Sequence, residues 1–399
     1  MARDLKIFTD NIEQEALEQI NLLLEQEPFQ KSKIRIMPDV HAGRGCVIGF
    51  TGNLGDKIIP NIVGVDIGCG MLTANLGNIN LNFEELDKII KKYLPSGHHI
   101  HDGRKTKFEK IKNLKCFRSL KDTKRFEKSI GTLGGGNHFV EVDVDNENNK
   151  YLVIHSGSRN LGSQVANCYQ ELANKLCNYN FAEYIEKQEK LIIDFKKKGK
   201  KHEIQGALKE LKKRFYIGEN KIPKDLAYLK GKYREDYLHD MQICQEFASL
   251  NRRIIAKIIC DNINISCNDS FETIHNYIDL NNNIVRKGAV SAEKGKLLLI
   301  PINMRDGCII CKGKGNDDWN MSAPHGAGRL MSRTKAKEIF KIDDFENSMK
   351  GIYTTSISKN TIDEAPFVYK PMQEIIDKIG DTVEILKIIK PIYNFKATS

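Results

Sequence analysis

Apolar residues along this chain recur with two different periods, and the switches between them mark out its elements. Between residues 11 and 29, Ile12, Leu17, Ile20, Leu23 and Leu24 recur among Glu and Gln, which predicts an amphipathic helix. Residues 34–37 then read as a short strand stopped by Pro38, and residues 58–65 form a longer apolar run of β type that ends in Asp66. Residues 82–130 carry amphipathic helix signals and a polar stretch with His98, His99 and His101, expected as a surface loop. Residues 139–142 and 151–154 predict two strands joined by a polar turn over 143–150. Residues 165–260 read as mostly helical. Within them, the Lys/Glu-rich stretch 186–214 suits solvated helices or a protruding helical hairpin. Tyr237, Leu238, Met241, Cys244, Ala248, Asn251, Ile255 and Ile258 share one buried helix face. Strand character returns over 271–277, 284–290 and 297–301, and a helix is predicted over 330–340.

Composition narrows the class. A chain of 399 residues can bury a large core, in one elaborate domain or in two or three. Charged residues make up 29% and hydrophobic ones 40%, as in soluble globular proteins. The net charge of +10 suits an anionic partner such as a nucleotide or nucleic acid. Much of that excess lies in lysine runs of the kind found on solvated helix faces, so the charge alone does not name the partner. The first residues lack the apolar core of a secretory signal, and no apolar run approaches a membrane span, so we expect a cytoplasmic protein with no membrane partner. Ten scattered cysteines without an export signal point to reduced thiols rather than a disulfide framework.

The candidate chemistry clusters where predicted strands end. The hairpin of 139–142 and 151–154 places His138 at the start of one strand and His155 at the end of the next, which are neighbours in an antiparallel pair. Beside them lie Gly134, Gly135 and Gly136, with Asn137, Glu141 and Arg159. Two imidazoles there can hold a metal near a phosphate; each is also readable as a satisfied core or turn histidine. Asp66 and Cys69 close an apolar run, and burying that carboxylate costs several kcal/mol unless it is paired or bound to a cation. Carboxylate and thiolate make one half of a metal site, the histidines the other; on donor type alone zinc is suggested. His275 is a third histidine in a β-type segment. Asp39 and His41 lie two apart, and His41 reads either as a ligand or phosphate contact or as a loop histidine. Cys308 and Cys311 form a lone CxxC with no second ligand pair nearby. In 322–329, His325 is flanked by small residues, Arg329 can pair with phosphate bidentately, and Gly326 and Gly328 free backbone N–H groups ahead of a helix N-terminus. No GxxxxGK[ST] loop and no GxGxxG following a strand is present.

Taken in order, PDVHAGRGCVIG, IPNIVGVDIGCGM, GTLGGGNHFVEV, HSGSRNLG, VRKGAVSAEKG, SAPHGAGRLMSRTKAK, DEAPFVYK and a lysine near the chain end resemble the RtcB family of RNA ligases. The resemblance implies an α+β fold, a single compact domain over 1–399 with a sheet-rich core, surrounding helices and the helical segment 165–260 within it. It implies joining of RNA ending in a 3′-phosphate or 2′,3′-cyclic phosphate to RNA with a 5′-hydroxyl, using GTP and two Mn²⁺ ions, in tRNA splicing or RNA repair. By motif position, Asp66, Cys69 and His138 would hold one metal, and Cys69, His155 and His275 the other. His325 would carry GMP. Asn137, His138, Phe139, Val140, Glu141, His275, Asn276, Pro301, Ile302, Asn303, Met304, Cys308, His325, Gly326, Ala327, Gly328, Tyr369 and Lys396 would line the GTP site. Arg159, Lys287 and Arg329 would handle RNA or phosphate. An activating protein of the archease type is a further implied partner. The chain departs from the family at Ile302 and Asn303, where Gly-Ser is usual, and at Cys308, where serine is usual. The other readings are a metal-dependent RNA end-processing hydrolase and a non-catalytic RNA-end-binding protein; an intact His325 argues against both.

Overall fold

In the computed structural model, which describes residues 4–43, 45–178, 181–215, 222–267 and 269–397, β1 (Leu5–Ile7) and α1 (Gln14–Leu24) lead into β2 (Ile34–His41), β3 (Ile48–Asn53), β4 (Lys57–Ile58) and β5 (Gly70–Gly77). α2 (Phe83–Tyr93) precedes the hairpin of β6 (Phe139–Val144) and β7 (Lys150–Ser156). The helical middle holds α3 (Arg159–Asn178), α4 (Phe181–Lys197), α5 (Ile204–Phe215), the short β8 (Leu229–Lys230) and the long α6 (Gly231–Asn262). Next come β9 (Ser270–Ile274), β10 (Asn276–Asp279), β11 (Ile284–Lys287), β12 (Ala289–Ser291), β13 (Leu297–Asn303), β14 (Gly307–Gly313) and β15 (Ser322–Pro324). α7 (Arg333–Ile339), α8 (Ile342–Ser348), β16 (Tyr353–Thr354), α9 (Met372–Ile379) and β17 (Val383–Lys396) complete the order.

The fold is α+β with a sheet-rich core, as the resemblance implies. The larger sheet runs β13-β14-β17-β6-β7-β5-β9, with β16 against β17. Its two edges approach, the Leu299 N–H on β13 donating to Thr273 Oγ1 on β9, so the sheet nearly closes on itself. The smaller sheet runs β1-β2-β3-β11-β10. β7 is buried along its whole length, which explains why its middle, residues 151–154, is continuously apolar rather than alternating. α6 buries Tyr237, Leu238, Met241, Cys244, Ala248, Asn251 and Ile255, the predicted face, while Ile258 is half-buried at its margin. α4 and α5 pack against each other, with Lys187–Glu183 and Lys190–Glu186 pairs on exposed positions, in keeping with the expected hairpin. Residues 179–180 and 216–221 of the expected helical segment lie outside the described residues. Among the described residues no helix is long and apolar enough to cross a membrane.

Several local expectations need correction. The apolar run 58–65 is a strand only at its start, in β4, and turns as a short 3-10 helix over Pro60–Ile62. Pro38 does not end its strand: β2 continues to His41, and the missing N–H is absorbed by an irregularity in its pairing with β3 between Ile36 and His41. The helix expected from Leu330 begins only at Arg333, because the Ser332 side chain accepts from Lys335 N and caps it there. His101 is not a surface histidine but is buried, its Nε2 on the Gly131 carbonyl. Cys260 and Cys267 are joined as a disulfide, their Cα atoms brought to 6.4 Å by the end of α6 and the turn after it; the other eight cysteines are free.

Two polar residues interrupt the apolar face of α6 and tie it to strand ends. Asn251 Oδ1 accepts from the Gly131 and Thr132 N–H groups, and its Nδ2 donates to Thr132 O, Ser156 Oγ and Gly157 O. Arg252 is fully buried; one guanidinium nitrogen donates to Gly68 O and Ser156 O, at 2.8 and 2.9 Å, and the other to Glu272 Oε2 at 2.8 Å. One side chain thereby fixes the start of β5, the end of β7 and β9 relative to one another. Arg252→Met would leave two buried carbonyls and a mostly buried carboxylate without that donor. It should lower the unfolding free energy by about 3 kcal/mol. Equilibrium denaturation measures the change, and a loss under about 0.5 kcal/mol would mean that this brace is dispensable.

Candidate active site

Because Gly68 and Ser156 are held by one guanidinium, their neighbours Cys69 and His155 meet. Cys69 Sγ lies 3.2 Å from His155 Nε2 and 3.4 Å from His138 Nε2. His138 Nε2 is also 3.0 Å from Asp66 Oδ2. His275 follows β9 directly and its ring centroid is 5.1 Å from that of His155. Two sets of ligand atoms result, Asp66/Cys69/His138 and Cys69/His155/His275, each with all atoms within 4.8 Å of one another and both containing the thiol. The five residues that sequence reasoning assigned to metal binding are therefore adjacent.

The surroundings prepare these groups as ligands. His155 Nδ1 is 3.1 Å from the Asn137 carbonyl, so that ring donates there and turns its Nε2 lone pair to the thiol, while His138 Nδ1 is held 2.9 Å from the Leu133 carbonyl and its Nε2 faces Asp66 and the thiol. His275 Nδ1 is buried with no partner, the condition of a nitrogen awaiting a cation. Burial, together with neighbouring imidazoles, pushes the His155 and His275 rings well below the usual histidine range, so both are neutral at neutral pH. Burial, then the Asp66 charge, pushes the Cys69 thiol up, so its ionisation requires a strong nearby cation. Burial also opposes charge on Asp66, but His138 and Arg159 outweigh it and bring the carboxyl down to about 2. The donor set fits divalent metal ions.

Glycine is required at two points here. A Cβ on Gly157 would lie 2.2 Å from Asp66 Oδ1, and one on Gly134 would overlap the Arg159 guanidinium. The latter packs beside His138, with Nη1 3.4 Å from its Nδ1, and donates to Thr132 Oγ1 and Gly97 O.

His325 stands at the other side of His275, ring centroids 5.1 Å apart. The carboxylate of Asp39, fully buried in β2, accepts from both the His325 backbone N–H (3.0 Å) and Nδ1 (2.5 Å). His41 is stacked 6.4 Å away, its ring lowered to about 4 chiefly by burial. A cavity of about 490 Å³ opens over these groups. Of the positions expected to contact GTP, Asn137, Phe139, Glu141, Pro301, Ile302, Asn303, Met304, His325, Gly326, Ala327, Gly328, Tyr369 and Lys396 line it. Val140 points into the apolar core, Asn276 accepts from Gly288 N–H, and Cys308 is buried beyond Glu141. His138 and His275 belong to the thiol cluster. Asn303 is occupied with its own turn, accepting from Arg305 and Asp306 N–H and donating to the Asp306 carboxylate.

The three basic residues assigned to phosphate fall in different places. Arg329 lines the cavity and donates to Asp363 O and Met331 O, with Nη1 buried and unpartnered by hydrogen bonds. Arg159 sits behind His138. Lys287 is buried, its Nζ donating to Cys46 O and Asn61 O. Sequence reasoning missed Glu364, which collects Lys396, Tyr369 and Arg333 around one carboxylate at the cavity wall. It also missed the partner of Asp39, Arg252, and the bracing role of Asn251, which it had placed only on a buried helix face. The acidic DEAPFVYK run carried the signal for Glu364; nothing local marked the others.

The sequence model of a family described as tRNA-splicing ligase RtcB matches residues 23–119 and 115–397. An RNA-splicing ligase RtcB of Escherichia coli K12 is 29% identical, over 97% of this chain and 96% of its own length. The tRNA-splicing ligases RtcB of Nanoarchaeum equitans and Methanococcus maripaludis are 24% and 23% identical, over 89% and 96% of this chain and 85% and 92% of theirs. Matched by the family model over nearly its whole length, and carrying a thiol shared between two ligand sets beside a carboxylate-held histidine, the chain belongs to the RtcB family.

Proposed function

We propose that this protein is an RNA ligase that joins RNA 3′-phosphate or 2′,3′-cyclic phosphate ends to 5′-hydroxyl ends, using GTP and two Mn²⁺ ions through a guanylylated histidine. The observation that carries the proposal is His325, held by Asp39 at the mouth of a cavity and next to His275 of the shared-thiol cluster. Asp39 engages Nδ1–H and leaves the Nε2 lone pair as the nucleophile. Asp66, Cys69 and His138 would hold one metal and Cys69, His155 and His275 the other; bound there, the ions neutralise phosphate charge and orient it for displacement.

Nε2 of His325 attacks the α-phosphorus of GTP, a P–N bond forms and pyrophosphate leaves. The Arg329 guanidinium and the small-residue backbone of Gly326–Gly328 suit the phosphate chain, and Glu141, Tyr369 and Lys396 line the space for the rest of the nucleotide. GMP then passes from Nε2 to a 3′-phosphate oxygen of the RNA, giving an activated diphosphate. The RNA 5′-hydroxyl attacks the RNA phosphorus and GMP departs. A cyclic phosphate is first opened by water to the 3′-phosphate. RNA approach is served by the overall positive charge. Splicing of tRNA and repair of broken RNA both present such ends, and an activating protein of the archease type is part of the same reading.

Purified protein given GTP, Mn²⁺ and two RNA pieces bearing a 3′-phosphate and a 5′-hydroxyl should yield one joined product, absent if GTP is omitted. Release of free phosphate without joining would favour an RNA-end hydrolase instead. Asp39→Asn keeps the shape but no longer holds the His325 tautomer by charge. Guanylylation should slow by on the order of 10²-fold or more, while bound metal, measured by elemental analysis, stays unchanged; an unaltered rate would remove Asp39 from the mechanism. Cys69→Ser replaces the shared thiol by a hydroxyl that ionises far less readily. Metal analysis should show both ions weakened together, and loss of only one would mean the ligand is not shared.

A further inference from the structure

β6 carries two carboxylates on one face, Glu141 and Asp143, and β14 brings Cys308 against them. Sequence periodicity placed Asp143 in a polar turn, but β6 runs to Val144 and Asp143 is completely buried, as is Cys308, with Glu141 nearly so. One oxygen of each carboxylate and Cys308 Sγ lie within 4.8 Å of one another. No amide, hydroxyl or cationic group hydrogen-bonds either oxygen of Asp143, whose polar neighbours are the Glu141 carboxyl and the Cys308 thiol. Asn394 donates to Glu141 Oε2 at 2.6 Å, and its own buried Oδ1 is likewise unpartnered. The lysine whose charge acts on Glu141, Lys396, is bonded to Glu364.

Two buried carboxyls and a thiol with no positive group bonded to them are costly unless something neutralises them. Burial accordingly pushes the Asp143 carboxyl and the Cys308 thiol well up and Glu141 to about 7. Either protons or a cation must supply the positive charge. The spacing favours the cation. Around a tetrahedral zinc ion, bonds of about 2.3 Å to sulfur and 2.1 Å to oxygen place the two atoms about 3.6 Å apart; Cys308 Sγ and Glu141 Oε1 are 3.8 Å apart. A single proton shared between the carboxyls would still leave one negative charge buried without a bonded cation, which a divalent ion offsets.

We propose that Glu141, Asp143 and Cys308 form an additional divalent-cation site, suited by its two carboxylates and one thiolate to zinc, distinct from the Cys69 cluster. The ion ties β6 to β14, strands that do not pair with each other but both pair with β17. Since Glu141 lines the cavity and Asp143 and Cys308 lie behind it, the ion also fixes a carboxylate in the cavity wall. Cys311, the other half of the CxxC, takes no part: it faces a different apolar cluster, because residues three apart on a strand lie on opposite faces. The site does not depend on the reaction proposed for the cavity.

The test uses full-length Cys69→Ala protein, which lacks the thiol of the other cluster. Loaded with Co²⁺, it should still show a thiolate-to-cobalt charge-transfer band in the near ultraviolet, and Cys308→Ser added to it should abolish that band. Dialysed against Zn²⁺, the same protein should lose about one ion per chain when Asp143→Asn is added. Absence of the band from the Cys69→Ala protein, or an unchanged zinc count on adding Asp143→Asn, overturns the proposal and leaves a proton-sharing carboxyl pair. Should the combined variants fail to fold, crystals of the unaltered protein soaked in Zn²⁺ decide: an anomalous peak among Glu141, Asp143 and Cys308 supports the site, and its absence overturns it.

Discussion

A buried thiol and three buried imidazoles meet a half-buried carboxylate, and most of the larger sheet is arranged to keep them there. The contacts of Cys69 Sγ with two imidazole nitrogens, at 3.2 and 3.4 Å, leave little tolerance for movement of any strand. These groups come from the turn before β5, the start of β6, the end of β7 and the residue after β9, so a one-residue slip in any pairing would turn one of them away. Arg252 holds three of those ends by hydrogen bonds to Gly68, Ser156 and Glu272, and Asn251 holds the glycine-rich turn before β6. A buried arginine is itself expensive to bury, and its pairing with Glu272 and two carbonyls offsets that cost. The brace therefore gives geometric definition more than net stability.

His325 lies between two electrostatic regions. On one side are the rings of His155 and His275, kept neutral by burial beside a thiol. On the other, Arg329, Arg333 and Lys396 gather about Glu364. On the proposed function a triphosphate spans the two, its charge facing cations at both ends, while Asp39 sets the tautomer of the histidine in between. Buried polar atoms without a hydrogen-bond partner occur in the same region: Asp39 Oδ1, His275 Nδ1 and Arg329 Nη1, the last paired with Glu364 only at 3.7 Å. Buried polar atoms left bare in a native fold mark places where a ligand completes the hydrogen bonding.

The elements that sequence could reveal were those with local signals. The hairpin was legible because β6 and β7 are short apolar runs flanking a polar turn, and it alone juxtaposed His138 and His155 (Phe139 pairs with His155 in the register). The buried face of α6 was legible from its spacing, yet the reason for Asn251 on that face was not, since its partners are 119 and 120 residues away. Asp39 reads as half of a two-residue motif with His41, whereas its partner is His325, 286 residues on. Lys287 looks available at a strand end, and only the tertiary fold shows its ammonium turned onto two backbone carbonyls. Asp143 read as turn because the polar run that follows from Asp145 to Lys150 suggests solvent; its burial follows from the pairing of β6 with β17, which local pattern does not encode.

The central claim is that His325, positioned by Asp39, is the group that becomes guanylylated. Incubation with GTP labelled in the α-phosphate and Mn²⁺, followed by proteolysis and mass spectrometry under mildly alkaline conditions that preserve P–N bonds, locates the label directly. The account predicts a single GMP-bearing peptide modified at His325 and no label in the His325→Ala protein. A GMP adduct mapped to any other residue, or one formed undiminished in that variant, would contradict it.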